Sequence, residues 1–180
     1  RFDVVKEWCD IGEILDQVVR RLHPKAQEKG VTLKLKRTGK GPDTIRLEID
    51  RARIEQMITN LIDNALKFTP AEGEIRLIWT ADDENAMITV SDTGVGIPQD
   101  KLEKIFDKFY QVDTGDTRKT GGSGLGLFIC RQIIEAHGGS ITASSEATGS
   151  SFTIILPRPG RIINDAVPSA GDRSSRKEKA

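Results

Sequence analysis

The chain has 180 residues, with Lys plus Arg and Asp plus Glu both at 27, so its formal net charge is zero. That length holds one domain with a real core, and the even balance supplies no overall field to recruit nucleic acid or an acidic membrane surface, so partners are recognised locally. No apolar run reaches the ~18 residues of a membrane span, no signal-peptide pattern opens the chain, and Cys9 and Cys130 stand alone without metal-ligand spacing, which points to a soluble, cytoplasmic piece with small buried thiols.

In chain order, Ile11, Ile14, Leu15, Val18, Val19 and Leu22 recur at helical spacing behind Asp10, a good N-cap; Pro24 is a candidate kink and Gly30 the stop. Val31 to Lys36 and Ile45 to Ile49 alternate apolar and polar residues on either side of a Gly39 to Pro42 turn and are expected to pair as a hairpin. Asp50 then caps a helix whose best-defined stretch is Ile54 to Thr69, stopping before Pro70 and Gly73. Glu74 to Trp79 and Ala86 to Ser91 read as a second hairpin across Asp82 to Asn85. Lys101 to Phe106 is expected to be a short helix, and Gln111 to Gly122, polar and rich in glycine and threonine, a long mobile loop. Leu125 to Ala136 returns to helix, closed by His137 and Gly138, and Ser140 to Ser145 with Ser151 to Leu156 forms a last hairpin. Residues 158–180 carry Pro, Gly, Ser and alternating charge, the pattern of a low-order tail.

The helix behind Asp50 carries two messages. Ile54, Met57, Ile58, Leu61, Ile62 and Ala65 make one face apolar, while Asn60, Asn64 and Lys67 fall on a second ridge beside it. Carboxamide oxygens can ligate a hard cation and an ammonium can meet phosphate, so the ridge suits the floor of a polar cavity; a solvated helix flank would use the same residue types. Asp92-Thr93-Gly94-Val95-Gly96-Ile97-Pro98 follows a strand. Its carboxylate can accept from an exocyclic amino group such as adenine's, and glycines at 94 and 96 let backbone lie close to a flat ligand, although a tight surface turn reads alike. Gly121-Gly122-Ser123-Gly124-Leu125-Gly126 opens a helix, where free N–H groups can face an anion; it has neither the lysine of a phosphate loop nor a dinucleotide-fold context.

Taken in order, Asn60 to Thr69, Asp92 to Pro98, Phe106-Asp107-Lys108-Phe109 and Gly121 to Gly126 resemble the N, G1, F and G2 boxes of the ATP-binding catalytic domain of sensor histidine kinases. The resemblance covers roughly Asp10 to Pro157. It implies a two-layer α/β sandwich of the Bergerat type: a mixed sheet covered on one face by helices, with ATP held between them and a mobile lid over Gln99 to Thr120. It makes Asn64 the Mg²⁺ ligand, Asn60 its neighbour at metal and triphosphate, Lys67 a phosphate contact with Phe68 beside it, and Asp92 the reader of adenine. Gly94, Gly96, Ile97, Gly122, Ser123, Gly124, Leu125 and Gly126 would shape the base and phosphate walls, and Phe106 and Phe109 would anchor the lid. Many members carry Arg where this chain has Gln111; Arg118 and Lys119 are candidates to replace it.

A histidine kinase needs a phosphorylated histidine, yet His23 precedes Pro24 without the family's acceptor context and His137 sits at a helix end. The resemblance therefore implies that the acceptor lies on a dimerising helical hairpin outside this chain, with residues 1–9 as connector and residues 10–157 as the catalytic domain. Partners implied are that hairpin, a second copy in a homodimer, and a response regulator receiver domain; no nucleic acid is expected. Two other functions compete: hydrolysis, as in related gyrase, mismatch-repair and chaperone ATPases, and nucleotide-dependent regulation without catalysis. The ATPase relatives place Glu where this chain has Asn60, and Asn cannot take a proton from water.

Overall fold

The computed structural model describes residues 3–112, 122–146 and 148–159. Asp10 caps helix α1, Ile11–Lys29, by accepting from the N–H of Gly12 (2.8 Å) and Glu13 (3.3 Å), and Gly30 closes it in the left-handed conformation, φ 74°. The helix runs unbroken through Pro24. Asp50 caps helix α2, Arg51–Phe68, which begins three residues before the stretch marked by its apolar spacing and ends one residue earlier, with Thr69 as its C-cap. Helix α3, Gly126–Ala136, follows the glycine-rich stretch with Leu125 at its N-cap. Lys101 to Phe106 is not one short helix but parts of two single 3₁₀ turns, Gln99–Lys101 and Lys104–Phe106.

Seven strands complete the body: β1 Glu7–Asp10, β2 Thr32–Arg37, β3 Arg46–Ile49, β4 Glu74–Ala81, β5 Asn85–Asp92, β6 Ser140–Ser145 and β7 Ser150–Pro157. Five form a mixed sheet in the order β2-β4-β5-β7-β6, in which β2 lies parallel to β4 and the other neighbours are antiparallel. The β4–β5 and β6–β7 hairpins are as the sequence implies. The expected pairing of β2 with β3 does not form: β3 pairs antiparallel with β1 in a separate two-stranded sheet. The connection between them is too long for a tight hairpin turn. Arg37 instead lays its guanidinium over the Trp79 ring at 5.0 Å and donates to the Pro42 carbonyl, tying the end of β2 to β4. Freed from β2, β3 buries Leu47 and Ile49 against the helices. Residues 7–9, read as connector, are thus a paired strand of the body. At the other end β7 stops at Pro157, and the Arg158 N–H donates to Glu84 O at 2.7 Å; residues 160–180, the rest of the expected tail, lie outside the described residues.

All three helices cover one sheet face. Their stripes, Ile11 to Ala26 on α1, Ile54 to Leu66 on α2, and Cys130, Ile133 and Ile134 on α3, meet Leu33, Ile75, Leu77, Trp79, Ile88, Val90, Phe152, Ile154 and Leu156 in one aliphatic core. The other face alternates to Thr and Ser, with Thr89 beside Thr153 and Ser91 hydrogen-bonded to Ser151 at 2.8 Å. Among the described residues no helix is long and apolar enough to cross a membrane.

The start of α2 and the end of α3 meet at a buried histidine. His137, the C-cap of α3, lies between Ile133 O, 2.7 Å from Nδ1, and the backbone N–H of Asp50, which donates to Nε2 at 2.9 Å. An acceptor Nε2 requires the neutral ring with its proton on Nδ1. Burial pushes the His137 pKa below its ordinary 6.5, with Lys6 adding repulsion against the partial support of Asp50 and the Ile133 carbonyl. The unfolded chain therefore takes up the proton first on acidification, and this contribution to stability is complete above 6.5 and is lost as pH falls through the window beneath it. Chemical denaturation at pH 7.5 and 5.5 is expected to show a loss of stability that His137→Gln, which keeps an acceptor but does not titrate, reduces. His137→Ala should cost roughly 1–3 kcal/mol at pH 7.5, because the Asp50 N–H loses its partner. Identical pH dependence in parent and Gln variant would rule the histidine out as the titrating group.

Candidate functional site

The polar ridge of α2 forms one side of a cavity of about 320 Å³. Asn60, Asp63, Asn64, Lys67 and Phe68 line it from α2, Gly96 and Ile97 from the loop after β5, and Gly122, Ser123, Gly124 and Gly126 from the stretch that opens α3. Ten residues singled out in the sequence thus converge on one cavity. The ridge is only half buried, and its carboxamides and ammonium keep polar atoms at the edge of the core stripe. Two faces of one helix explain both features, because a three- or four-residue step returns to the same side.

Four expected residues stand off the cavity wall: Asp92, Gly94, Phe109 and Leu125. Asp92 is 9% exposed, with Oδ1 accepting from Gly94 N–H (2.8 Å) and Oδ2 from the Ser150 hydroxyl (2.7 Å). It is a held carboxylate rather than a free one, though each oxygen retains a further lone pair for a ligand. Gly94 has its place beneath the loop: a Cβ there would stand 2.4 Å from Phe68 O, where α2 ends. Phe106 is buried edge-on against Phe152 at 6.1 Å and under the Arg131 guanidinium at 4.2 Å. Phe109 does not anchor through its ring, which is 65% exposed; its peptide does, donating to Gly124 O at 2.9 Å from a left-handed conformation, φ 64°. Gly124 must be glycine for this contact, since it has φ 67° and a Cβ would come within 2.7 Å of the Phe109 carbonyl carbon. Arg118 and Lys119 lie outside the described residues, as does most of the expected loop.

Several wall residues escaped sequence reasoning. Asp63 lies between Asn60 and Asn64 on the same helix and pairs with Lys25 of α1 at 2.7 Å; its spacing to Asn60 and Lys67 was the available signal. Ser150 is placed by register, opposite Asp92 across the β5–β7 ladder, so only the sheet topology reveals it. Val95, Ile105, Tyr110, Val112 and Leu127 supply apolar wall, and Gln111 bridges to the Gly122 carbonyl with its amide.

The loop from Asp92 to Pro98 is clamped by the β6–β7 turn. Gly149 N–H donates to Gly94 O at 2.9 Å, Ser145 Oγ accepts from Ile97 N–H at 2.9 Å and donates to Gly149 O at 2.7 Å, and Gln99 reaches Ser145 O at 2.7 Å. Across the cavity, Gly122 leaves room for Lys67, whose Nζ would lie 2.7 Å from a Cβ at 122. Among the described residues no cluster of three or more His, Cys, Asp or Glu is placed to hold a metal, so the donors at hand are the α2 carboxamides and Asp63. Cys130 is fully buried on the core face of α3, where burial pushes its thiol up to about 12 and so disfavours the reactive thiolate.

Residues 49–160 match the family model of the histidine kinase-, DNA gyrase B-, and HSP90-like ATPases. Sensor protein SrrB of Staphylococcus aureus strain MRSA252 is 39% identical over 157 residues, 87% of this chain, and the chain spans 26% of that relative's length. The catalytic domain of histidine kinase ThkA, 28% identical, superposes with a TM-score of 0.75 over 86% of this chain and 97% of its own. ThkA solved in complex with the response regulator protein TrrA is 27% identical, TM-score 0.72, covering 86% of this chain and 42% of that one. The mixed sheet with helices on one face is the α/β architecture of these catalytic domains.

The packing of Gly94 under Phe68 O ties the loop to the end of α2. Gly94→Ala should lower stability by about 1–3 kcal/mol, since the new methyl meets backbone rather than a side chain that can turn aside. Urea unfolding measures it, and an unshifted midpoint would mean that the loop lifts away at no cost.

Proposed function

The chain belongs to the histidine kinase-, DNA gyrase B-, and HSP90-like ATPase family, and we propose that it is the ATP-binding catalytic domain of a two-component sensor histidine kinase. In this reading it holds MgATP and delivers the γ-phosphoryl group to a histidine on a dimerising helical hairpin outside the chain, for onward transfer to an aspartate of a response regulator receiver domain. The observation that carries it is the convergence of Asn60, Asn64 and Lys67 with the Gly122 to Gly126 stretch on one cavity, beside a held Asp92.

The donor set fits the ligand. Asn64 and Asn60 offer amide oxygens to Mg²⁺, Lys67 offers an ammonium to phosphate, and the Gly122 position leaves that ammonium unobstructed. A metal held by these residues would supply charge neutralisation to the phosphates. The chain's own residues position: Asp92, oriented by Ser150 and the Gly94 N–H, accepts from the base, while apolar Ile97, Ile105 and Leu127 exclude water from the cavity. Such positioning suffices for phosphoryl transfer, which asks little covalent chemistry of the protein. Neither histidine here is the acceptor in this reading, since His137 has both ring nitrogens engaged in a buried site and His23 precedes Pro24 without the family's acceptor context. A homodimer on the cytoplasmic side is the setting that such a kinase requires. Partnership with a response regulator is supported by the ThkA complex.

Asn60 favours transfer over hydrolysis, because a carboxamide takes no proton from water. Incubated with γ-labelled ATP, the chain alone is expected to bind nucleotide and neither hydrolyse it quickly nor label itself. Adding a separately made dimerising hairpin should restore weak transfer as acid-labile, base-stable phosphate, weak because the covalent link that raises effective concentration is absent. Rapid acceptor-independent phosphate release, abolished by Asn64→Ala, would make the chain an ATPase instead.

Asp92→Asn turns one acceptor oxygen into a donor, which opposes either the adenine amino group or the Gly94 N–H. ATP affinity should fall at least about tenfold. Calorimetry that returned the parent affinity would reduce Asp92 to a turn residue.

A further inference from the structure

Helix α1 lays three cations along the flank of α2. Arg21 meets Glu55 at 3.4 Å and Thr59 at 3.1 Å, Lys29 bonds the Leu66 carbonyl, and between them Lys25 Nζ lies 2.7 Å from Asp63 Oδ1. Of these α2 partners, only Asp63 lines the cavity. Among the described residues on the cavity wall, the charged side chains are Asp63 and Lys67, one of each sign. A carboxylate here is costly for a polyanion, since it lies on the wall and on the ridge that carries Asn60, Asn64 and Lys67. Lys25 is not among the wall residues; its ammonium pairs with Asp63 from α1, and the two are open to solvent at 60% and 40% side-chain exposure. An isolated pair that exposed contributes little to stability, so its position against the cavity is the feature that calls for a cause.

We propose that the Lys25–Asp63 pair sets the metal dependence of nucleotide binding, with Asp63 disfavouring the metal-free triphosphate and admitting the form whose charge a divalent cation has reduced. This rests on the nucleotide reading of the cavity and adds to it a residue that chooses between two ionic forms of one ligand. Metal-free ATP carries about two more negative charges than the magnesium complex, so a fixed carboxylate penalises it about twice as strongly. A carboxylate can also accept from water bound to the cation, which acts in the same direction. Lys25 tempers the penalty through this pair without being among the wall residues.

The readout is the ratio of the ATP dissociation constant in EDTA to that with saturating Mg²⁺, measured by calorimetry on the whole chain. Asp63→Asn is expected to lower this ratio about threefold or more, chiefly by tightening metal-free binding, and Lys25→Met to raise it. Glu55→Gln, which alters a neighbouring α1–α2 contact away from the wall, should leave it at the parent value. Added salt should shrink the difference between parent and Asp63→Asn. Thermal melts show that each variant is folded. An Asp63→Asn ratio equal to or above the parent's overturns the inference, as does an equal shift in Glu55→Gln. Asn64→Ala separates the two readings: if it leaves the ratio unchanged while Asp63→Asn lowers it, the metal assignment of Asn64 fails and the role of Asp63 stands. A parent chain that binds ATP under neither condition removes the nucleotide reading, and this inference with it.

Discussion

One helix has to serve the core and the cavity at once, and the rest of the structure is arranged around that demand. Seven residues of α2 are buried against α1, α3 and the sheet, so the helix cannot rotate without moving its whole apolar stripe. A rotation of one residue, about 100°, would take Asn60 and Asn64 off the cavity and put Leu61 or Ala65 there. Core packing therefore fixes the direction of the polar ridge, and no separate interaction is needed to aim it. The ends are fixed as well. Asp50 accepts from the N–H groups of Arg53 and Val5 and donates its own to His137, joining the start of α2, the entering chain and the end of α3. Although burial alone would raise its pKa, these backbone bonds hold the Asp50 carboxyl below its usual value. At the far end, Phe68 O accepts from the Val95 N–H, and the loop is threaded past it by Gly94.

The second wall depends on the sheet in a less local way. Asp92 ends β5, and its orientation is set from β7, the neighbour across the ladder, through Ser150. The turn that delivers β7 also carries Gly149, which sits so close to Asp92 O that any Cβ would lie 1.9 Å away. Ser145 and Gln99 complete the clamp, so the loop between β5 and the first 3₁₀ turn is braced from the last hairpin of the domain. This explains why a glycine-rich loop, which on its own would lose much conformational entropy on ordering, is held in one shape: buried hydrogen bonds on both sides satisfy it.

How far this was legible follows from how local each feature is. The α2 stripe, both antiparallel hairpins and the caps at Asp10, Asp50 and Gly30 are written within short windows, and each formed as its spacing implied. The β2–β3 hairpin was misread because alternation reports a strand but not its partner; the parallel place of β2 beside β4 depends on α2 packing across the sheet and on the Arg37–Trp79 contact. Residues 7–9 fail the same way, since a four-residue strand has too little pattern to announce itself before its partner is known. Ser150 needs the register, and Phe109 needs the close approach of Gly124, a contact between segments far apart in sequence. Asp63 differs, for its helical spacing to Asn60 and Lys67 was in plain view within a single helix.

On the proposed reading, the chemistry of the ridge explains its composition. Both positions nearest the triphosphate are carboxamides, which bind and orient but neither donate nor take a proton in the transfer. A general base at those two positions would serve water as readily as a protein acceptor, and water is always present, so a domain that must keep ATP intact until its acceptor arrives gains from carboxamides there, while the one carboxylate of the ridge, Asp63, is engaged by Lys25. The cost is that no residue described on the wall completes the reaction alone, and the acceptor has to bring the nucleophile to a phosphoryl group already held in place. The same logic fits the electrostatics: the described wall carries one carboxylate and one ammonium, so these residues contribute shape, base recognition and metal donors rather than surplus positive charge. A site built this way holds its nucleotide by position, which is what a kinase without its substrate needs.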